Sequence, residues 1–264
     1  MTRAGLAEHL PCSSKVWVLG LLRVHFLGVA GAGGPPLYAR NCYLVETKHN
    51  RLLLDIGEGC GWRLSLLGLS LCDIDYIYVS HSHFDHYSGL FDAGVRAVIE
   101  KCSRGVRIAG SPDVLSSLDV NRLAPSSLPI SIVRVQRDLR LEGGDRLTLV
   151  ESTHVVPTYG VLLETSGGET LYYTADTEIS RSVVEASKKA DIVLAEATIP
   201  DGLEEIALSS KHMTVSQALS LSTGLKEGGL LAIVHRSIES EKQLLKKQLP
   251  KRVVVPSDMC YLSL

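Results

Sequence analysis

The sequence predicts a strand-rich α/β protein. Short runs of aliphatic and β-branched residues recur along almost the whole chain, and segments with helical periodicity separate them. With 264 residues, the chain is long enough for one large domain or two small ones. Hydrophobic residues make up 45% of the chain and charged residues 21%, which supplies enough apolar side chains for a core.

Charge and cysteine content narrow the class of protein. A formal net charge of −2 and a pI near 6.5 argue against indiscriminate nucleic-acid binding, although they allow a local basic face. The six cysteines form no C-x-x-C pair. We therefore expect reduced, mostly buried thiols in a cytoplasmic protein, with a disulfide framework or a zinc–thiolate cluster as weaker alternatives. The sequence contains no uncharged apolar run of about 18 residues, so it predicts no membrane span.

The predicted elements follow one another along the chain. Residues 1–14 show no periodicity and predict a disordered leader, which leaves a single domain over residues 15–264. Strand patterns cover residues 21–29, 41–47, 50–57, 74–80, 106–111, 130–136, 145–152, 191–198, 230–237 and 252–264, with a hairpin over 160–176. Helical patterns cover residues 61–67, 91–101, 112–118 and 215–225, and a basic helix ends near residue 249.

The strand over residues 74–80 ends in a dense cluster of potential metal ligands. His81, His83, Asp85 and His86 lie within six residues, at the turn that follows the strand. Neutral imidazole and carboxylate are ligands that zinc and similar divalent ions favour. A polar loop of solvated histidines is the alternative, but so dense a run favours a metal.

Three later strands also end in a ligand-type residue. His154 follows LTLVEST, Asp176 closes TLYYTAD and His235 closes LLAIVH. One such residue would be typical of a cap or a solvated turn, whereas three beside the first cluster indicate a shared site. Asp55 ends the strand LLLD, and we expect it to accept a hydrogen bond that orients a ligand loop. Capping of the next helix is the alternative for Asp55.

The run HSHFDH at residues 81–86 resembles the HxHxDH signature of the metallo-β-lactamase superfamily of metal-dependent hydrolases. The resemblance implies a four-layer αββα sandwich (the metallo-β-lactamase fold) and two divalent ions, zinc or alternatively manganese or iron. It assigns His81, His83 and His154 to one ion, Asp85, His86 and His235 to the other, and Asp176 to both. A hydroxide generated between two such ions attacks phosphorus or carbonyl centres, and Asp85 could also steer that water as a base.

Three further stretches resemble motifs of ribonuclease Z, the endonuclease that trims tRNA 3′ trailers. PLYARN at residues 36–41 is similar to its PxKxRN loop, AEAT at 195–198 to its HEAT motif, and HMT at 212–214 to its HST motif. The resemblance implies Arg40 and Asn41 as substrate-binding residues. It also implies that His212, supported by Glu196, protonates the leaving oxygen.

The chain departs from the ribonuclease Z pattern in three ways. Tyr38 stands where the loop has lysine, and Ala195 where the HEAT motif has histidine. Asp176 follows His154 by only 22 positions, which is enough for a hairpin alone. Ribonuclease Z usually carries there an extended arm that grips the tRNA body.

The sequence thus predicts a dinuclear metal-dependent hydrolase, most closely a ribonuclease Z-like phosphodiesterase. Its substrate would be tRNA, another RNA or a smaller phosphodiester such as a cyclic nucleotide. A lactone or thioester hydrolase using the same site is the first alternative, and a non-catalytic RNA-binding scaffold is the second. The resemblance also implies a homodimer.

Overall fold

The strands form two mixed sheets in the computed structural model, which describes residues 22–102, 105–118 and 129–264. Over these residues each sheet has seven strands. The first contains β1 (Arg23–Gly28), β2 (Cys42–Glu46), β3 (Arg51–Leu54), β4 (Tyr76–Tyr78), β5 (Val106–Gly110), β6 (Ile130–Arg134) and β14 (Cys260–Ser263). The second contains β7 (Asp138–Arg140), β8 (Arg146–Ser152), β9 (Thr158–Glu164), β10 (Thr170–Tyr173), β11 (Ile192–Ala197), β12 (Leu230–Arg236) and β13 (Val253–Val254). The strand orders are β14-β1-β2-β3-β4-β5-β6 and β13-β12-β11-β10-β9-β8-β7.

Short helices connect the strands. They are α1 (Cys60–Leu66), α2 (Phe84–Tyr87), α3 (Leu90–Ile99), α4 (Pro112–Ser117), α5 (Arg181–Ser187), α6 (Glu204–Ser210), α7 (Val215–Ser220) and α8 (Ile238–Leu244). Several begin at a hydroxyl side chain that accepts a backbone N–H of the first turn, as Ser111 does for α4 and Thr214 for α7. Along the described parts of the chain, no helix combines the length and the apolar character that crossing a membrane requires.

Three apolar layers hold the sheets and helices together. The side chains of β3 alternate, because Leu52 and Leu54 face the second sheet whereas Leu53 faces helices. β12 does the same, with Val234 towards the first sheet and Ile233 towards the helices on the other side. Strands that are buried on both faces read as continuous apolar runs, as these do. The arrangement is helix, sheet, sheet, helix, and it confirms the predicted four-layer αββα sandwich.

The C-terminal segment differs from the single strand predicted over residues 252–264. β13 pairs with β12 in the second sheet, whereas β14 pairs antiparallel with β1 in the first. Pro256 lies between them, and a proline cannot donate the ladder hydrogen bond that a continuous strand would need. The chain therefore crosses from one sheet to the other at this point. The predicted leader over residues 1–14 lies outside the described residues.

Some short elements escaped the sequence patterns. The three-residue β7 and the four-residue α2 are too short to show a period, and α6 is largely polar. α5 was missed as well, although it begins at a Ser180 cap. None of these elements contributes a strand to the centre of either sheet.

The prediction that every cysteine is reduced is wrong for one pair. Cys42 and Cys60 form a disulfide, and their Cα atoms are 5.8 Å apart. A backbone hydrogen bond of 2.8 Å from Gly57 N to Asn41 O brings the start of β2 beside the start of α1, which places the two sulfurs together. Cys72 keeps a thiol, as expected.

Candidate metal centre

The predicted ligands meet at one edge of the sandwich, between the two sheets. β8, β10, β11 and β12 end at this edge of the second sheet, and β3 and β4 end at the facing edge of the first. His154 follows β8, Asp176 follows β10, and His235 lies near the end of β12. The loop after β4 carries the HxHxDH residues towards them.

The backbone is constrained where three of these strands end. Asp55, Ala175 and His235 have φ angles of 58°, 53° and 46°, in the left-handed region that residues other than glycine seldom adopt. Such conformations cost about 1–3 kcal/mol each and persist where surrounding contacts fix them. Their clustering at one edge of the sandwich is typical of a functional site.

The first group of potential ligands consists of His81, His83, His154 and Asp176, with ligand atoms all within 4.8 Å of one another. His83 Nδ1 lies 3.1 Å from His81 Nε2 and 3.1 Å from His154 Nε2. Asp176 Oδ2 lies 3.6 Å from His81 Nε2. Burial lowers the pKa of all three histidines, and most strongly that of His81. Three neutral imidazoles therefore face one point.

The second group consists of Asp85, His86 and His235, again with ligand atoms within 4.8 Å. Asp85 Oδ2 lies 3.2 Å from His235 Nε2 and 3.6 Å from His86 Nε2. Asp176 reaches this group too, because its Oδ2 is 3.3 Å from His235 Nε2 and its Oδ1 is 3.4 Å from His86 Nε2. The structure thus brings all seven predicted ligands together, as two groups that share Asp176.

Asp176 has the environment of a ligand. Its Oδ1 atom is buried and accepts no hydrogen bond from the described residues. Burial raises the pKa of Asp176, but His235, His86 and His81 outweigh this effect and hold the pKa well below its usual value. A buried carboxylate with an open acceptor between imidazoles is what divalent cations require. The residues present therefore fit a metal centre.

Asp55 lies behind the ligands and organises them, as the sequence led us to expect. Its Oδ1 accepts the backbone N–H of Ser80 at 2.8 Å, and its Oδ2 accepts from Ser80 Oγ at 2.8 Å and Tyr173 OH at 2.6 Å. His86 Nδ1 donates to Asp55 Oδ2 at 2.7 Å, which turns Nε2 towards the ligand group. Burial lowers the pKa of His86, but Asp176 and Asp55 raise it well above its usual value.

The two residues predicted to bind substrate lie in different places. Arg40 lines the cavity in front of the ligands, and its Nη1 donates to Gly31 O at 2.7 Å. Asn41 is fully buried, with its side-chain nitrogen 3.0 Å from His86 Nε2 and its oxygen accepting from Tyr43 OH at 2.7 Å. This position favours orientation of His86 over contact with a substrate.

His212 and Glu196 form a pair at the cavity wall. His212 Nδ1 donates to Glu196 Oε1 at 2.8 Å and lies 4.0 Å from Asp176 Oδ2. Burial lowers the pKa of His212, but the Glu196 carboxylate outweighs it and raises the pKa to about 9. The pairing with Glu196 therefore favours the imidazolium form of His212.

Thr198 links this pair to a ligand. Its Oγ donates to Glu196 Oε2 at 2.7 Å and lies 2.6 Å from His235 Nδ1, from which it can accept. Glu196 thus helps to hold both His212 and, through Thr198, His235. Thr198 stands in the AEAT stretch, but nothing in the sequence indicated this role, because His235 is 37 residues away.

A cavity of about 580 Å³ opens in front of the ligands. Besides four ligands, His83, Asp85, Asp176 and His235, its wall includes Ala32, Gly33, Arg40, Glu58, Phe84, Ser88, Thr198 and His212. The sequence patterns had not singled out Glu58, Phe84 or Ser88 as site residues.

A family model described as "Anti-Pycsar protein Apyc1" matches residues 22–237. The chain belongs to this family. The matched region spans the described ligands from β1 to the end of β12, so the metal centre lies within the part that defines the Apyc1 family.

Curated relatives of this member of the Apyc1 family are named ribonuclease Z. Ribonuclease Z 1 of Schizosaccharomyces pombe is 28% identical over 198 residues, covering 65% of this chain. The chain spans only 24% of that protein's length. Ribonuclease Z of Ignicoccus hospitalis is 26% identical over 265 residues, covering 80% of this chain and 86% of that protein.

Solved structures similar to this chain have the same fold. The metallo-β-lactamase fold protein YhfI from Bacillus subtilis superposes with a TM-score of 0.77 at 21% identity, covering 91% of this chain and 98% of that one. Human tRNase Z, short form, gives 0.71 at 18% identity, with the same coverage. The protein is a metal-dependent hydrolase of the metallo-β-lactamase superfamily, similar to ribonuclease Z.

Proposed function

We propose that the protein is a dinuclear metal-dependent phosphodiesterase. The observation that carries the proposal is His212 on the cavity wall, paired with the buried Glu196 behind it. Its Nδ1 lies 4.0 Å from Oδ2 of the shared Asp176. Phosphodiester cleavage releases an alkoxide that needs a proton, and an imidazolium held by a carboxylate is a suitable donor. When bound, two divalent ions, zinc or alternatively manganese or iron, would activate a water molecule and neutralise charge on the phosphate.

Each side chain near the cavity has a separate role in this proposal. Asp85 Oδ2, 3.2 Å from His235 Nε2, orients the attacking water as a general base. Arg40 pairs with the phosphate, because a guanidinium can donate two parallel hydrogen bonds to two phosphate oxygens. His212 gives its proton to the leaving oxygen, and Glu196 keeps the imidazole protonated and aimed at the cavity.

The short connection between His154 and Asp176 supports a narrower substrate class within this proposal. The chain from His154 to Asp176 forms β9 and β10, joined by a tight turn at Gly168, whose φ is 94°. Nothing in this hairpin corresponds to an arm that grips a tRNA body. A substrate that needs no such arm fits the proposal better than tRNA. Examples are RNA with an accessible 3′ end and a smaller phosphodiester such as a cyclic nucleotide.

One comparison of substrates tests the proposal. The metal-loaded protein is expected to hydrolyse bis-p-nitrophenyl phosphate faster than p-nitrophenyl acetate. Chelation should abolish the phosphodiester reaction, and added zinc or manganese should restore it. A preference for the acyl ester would instead support the lactone or thioester hydrolase. Phosphodiester hydrolysis that survives complete metal removal, checked by elemental analysis, would contradict the metal-dependent mechanism.

We also propose a homodimer in the cytoplasm, on resemblance alone. Light scattering at micromolar concentration should give about twice the chain mass of 28.6 kDa. A monomeric mass would end this part of the proposal without affecting the chemistry.

A further inference from the structure

Phe84 is an exposed aromatic side chain in the middle of the metal-binding motif. It lies between the ligands His83 and Asp85, yet 67% of its surface is exposed. Its ring lines the cavity into which those ligands face. A single exposed apolar residue on an open surface needs no explanation. Phe84, in contrast, lies beside the predicted metal ligands, where it can contact a molecule bound in the cavity.

The Phe84 ring is held in place before any ligand arrives. Phe84 is the first residue of α2, and its backbone oxygen accepts the N–H of Ser88 at 2.8 Å. The Tyr87 ring packs edge-on against it, with centroids 5.7 Å apart and planes at 66°. Edge-to-face contacts of this kind are favourable and restrict the side-chain rotamer. This contact leaves Phe84 67% exposed, which is enough for its ring to stack on a ligand.

Ser88 supplies a polar atom in the same wall. Its Oγ is buried and has no hydrogen-bond partner among the described residues, although Ser88 lines the cavity. A buried hydroxyl without a partner costs free energy unless something pairs with it. Rotation about χ1 of Ser88 would turn the hydroxyl towards the cavity, where a ligand can provide that partner.

We propose that Phe84 and Ser88 form a recognition site for the nucleobase side of the substrate. Phe84 stacks on an aromatic base, and Ser88 hydrogen-bonds a polar group of the same nucleotide. Aromatic side chains recognise unpaired bases in this way because every base has a π face. The inference rests on the proposed phosphodiesterase function and adds two specificity-determining residues to it.

Two substrates with one leaving group test the role of Phe84. Thymidine 5′-(p-nitrophenyl phosphate) carries a base, whereas methyl p-nitrophenyl phosphate does not. We expect Phe84→Ala to lower the ratio of their kcat/KM values by about 5- to 150-fold, the loss of one base–aromatic stack. The loss should appear mainly in KM, and Phe84→Trp should restore the ratio. Phe91→Ala is the control, because Phe91 is 55% exposed on α3 but does not line the cavity.

Measuring the binding of reaction products tests this inference independently of the proposed function, because binding does not require catalysis. Calorimetry should show that Phe84→Ala weakens thymidine 5′-monophosphate binding to the metal-loaded protein far more than deoxyribose 5-phosphate binding. Ser88→Ala should weaken the nucleotide about 2- to 12-fold, the loss of one hydrogen bond. Equal losses for ligands with and without a base would overturn the inference, because they would indicate a disturbed metal site. A parent protein that hydrolyses neither phosphodiester would refute the proposed function, and the binding measurement would still decide the role of Phe84.

Discussion

His212 has two possible roles in the centre. Its Nδ1 donates to Glu196 Oε1 at 2.8 Å, yet His212 also forms a third group of potential ligands with Asp176 and His235. Its Nδ1 also lies 4.0 Å from Asp176 Oδ2, which would allow a role as a ligand. The two roles predict different consequences when the imidazole is removed.

His212→Ala is expected to leave the metal content unchanged and to slow cleavage of an unactivated phosphodiester by about 10²- to 10⁴-fold, the range for a positioned acid. The loss should shrink for p-nitrophenolate leaving groups, which need little protonation. Asp176→Ala should instead lose metal and slow every substrate alike. Elemental analysis beside kinetics on both substrates checks this, and metal loss in His212→Ala would make His212 a ligand.

Tyr173 and Tyr172 are neighbours with opposite environments. The Tyr173 hydroxyl donates to the buried Asp55 Oδ2 at 2.6 Å between the sheets. The Tyr172 hydroxyl, on the helix side, is buried without a hydrogen bond to any described residue. Replacing each tyrosine with phenylalanine therefore measures how much the Tyr173–Asp55 hydrogen bond contributes to the free energy of unfolding.

Tyr173→Phe should lower the free energy of unfolding by about 1.5–3 kcal/mol, because it removes a hydrogen bond to a charged group. Tyr172→Phe should change it by less than about 0.5 kcal/mol or raise it, since it removes a buried hydroxyl that lacks a partner. Urea denaturation of the metal-free proteins measures both. Equal effects for the two substitutions would show that the contact with Asp55 does not stabilise the fold.

At the level of elements, the segment between β13 and β14 fixes the glycine-rich loop over residues 31–40, which carries Arg40. Asp258 accepts the backbone N–H of Val29 at 3.1 Å and that of Ala39 at 2.6 Å. It also forms an ion pair of 3.0 Å with Arg63 of α1. Both ends of the loop are therefore attached to one carboxylate.

Asp258→Ala is expected to raise KM for a phosphodiester more than it changes kcat, because the loop would no longer hold Arg40 at the cavity. It should also destabilise the fold by about 3–5 kcal/mol, since Arg63 loses a partly buried partner. Glu239→Ala on α8, where a 63% exposed side chain pairs with Lys242, should cost less than about 0.5 kcal/mol. A kcat effect as large as the KM effect would contradict a role limited to positioning Arg40.

The elements that the sequence predicted well are those whose pattern is set locally. β3 and β12 are buried on both faces, so a continuous apolar run identifies them whatever their partners are. The predicted ligands were singled out for the same reason, since they follow or close such runs, and the structure brings them together. The single final strand was wrong because the change of sheet around Pro256 depends on partners from opposite ends of the chain.

Residues that support the site were harder to predict because they act across long separations in sequence. Asp258 and Ala39 are 219 positions apart, and Tyr173 and Asp55 are 118 apart. No local period links such pairs, and a buried tyrosine in a strand looks like any core residue. The Cys42–Cys60 disulfide escaped for a similar reason, since only the folded loop brings the two residues together.

At the level of the whole molecule, the ligands come from both sheets. His81, His83, Asp85 and His86 follow β4 of the first sheet, whereas His154, Asp176 and His235 belong to strand ends of the second. Ions held by this set would connect the two sheets at one edge. Binding to the folded state alone stabilises it by mass action.

Metal removal should therefore lower the thermal midpoint. Free metal at a hundred times its dissociation constant contributes about 2.7 kcal/mol, which corresponds to roughly 5–10 °C for a chain of this size. Differential scanning calorimetry with and without chelator measures the shift. The same comparison on Asp176→Ala should give a much smaller difference. Identical midpoints for the chelated and loaded parent would show that the ions do not stabilise the folded sandwich.

The crossing from β13 to β14 has a consequence for biosynthesis. β14 pairs with β1, so the first sheet cannot close until residues 260–263 have left the ribosome. Asp258, which holds the Arg40 loop, emerges at the same stage. A nascent chain can display every metal ligand by residue 235 and still lack the part that sets its substrate loop. The loop that carries Arg40 is therefore fixed only after every predicted metal ligand has been synthesised.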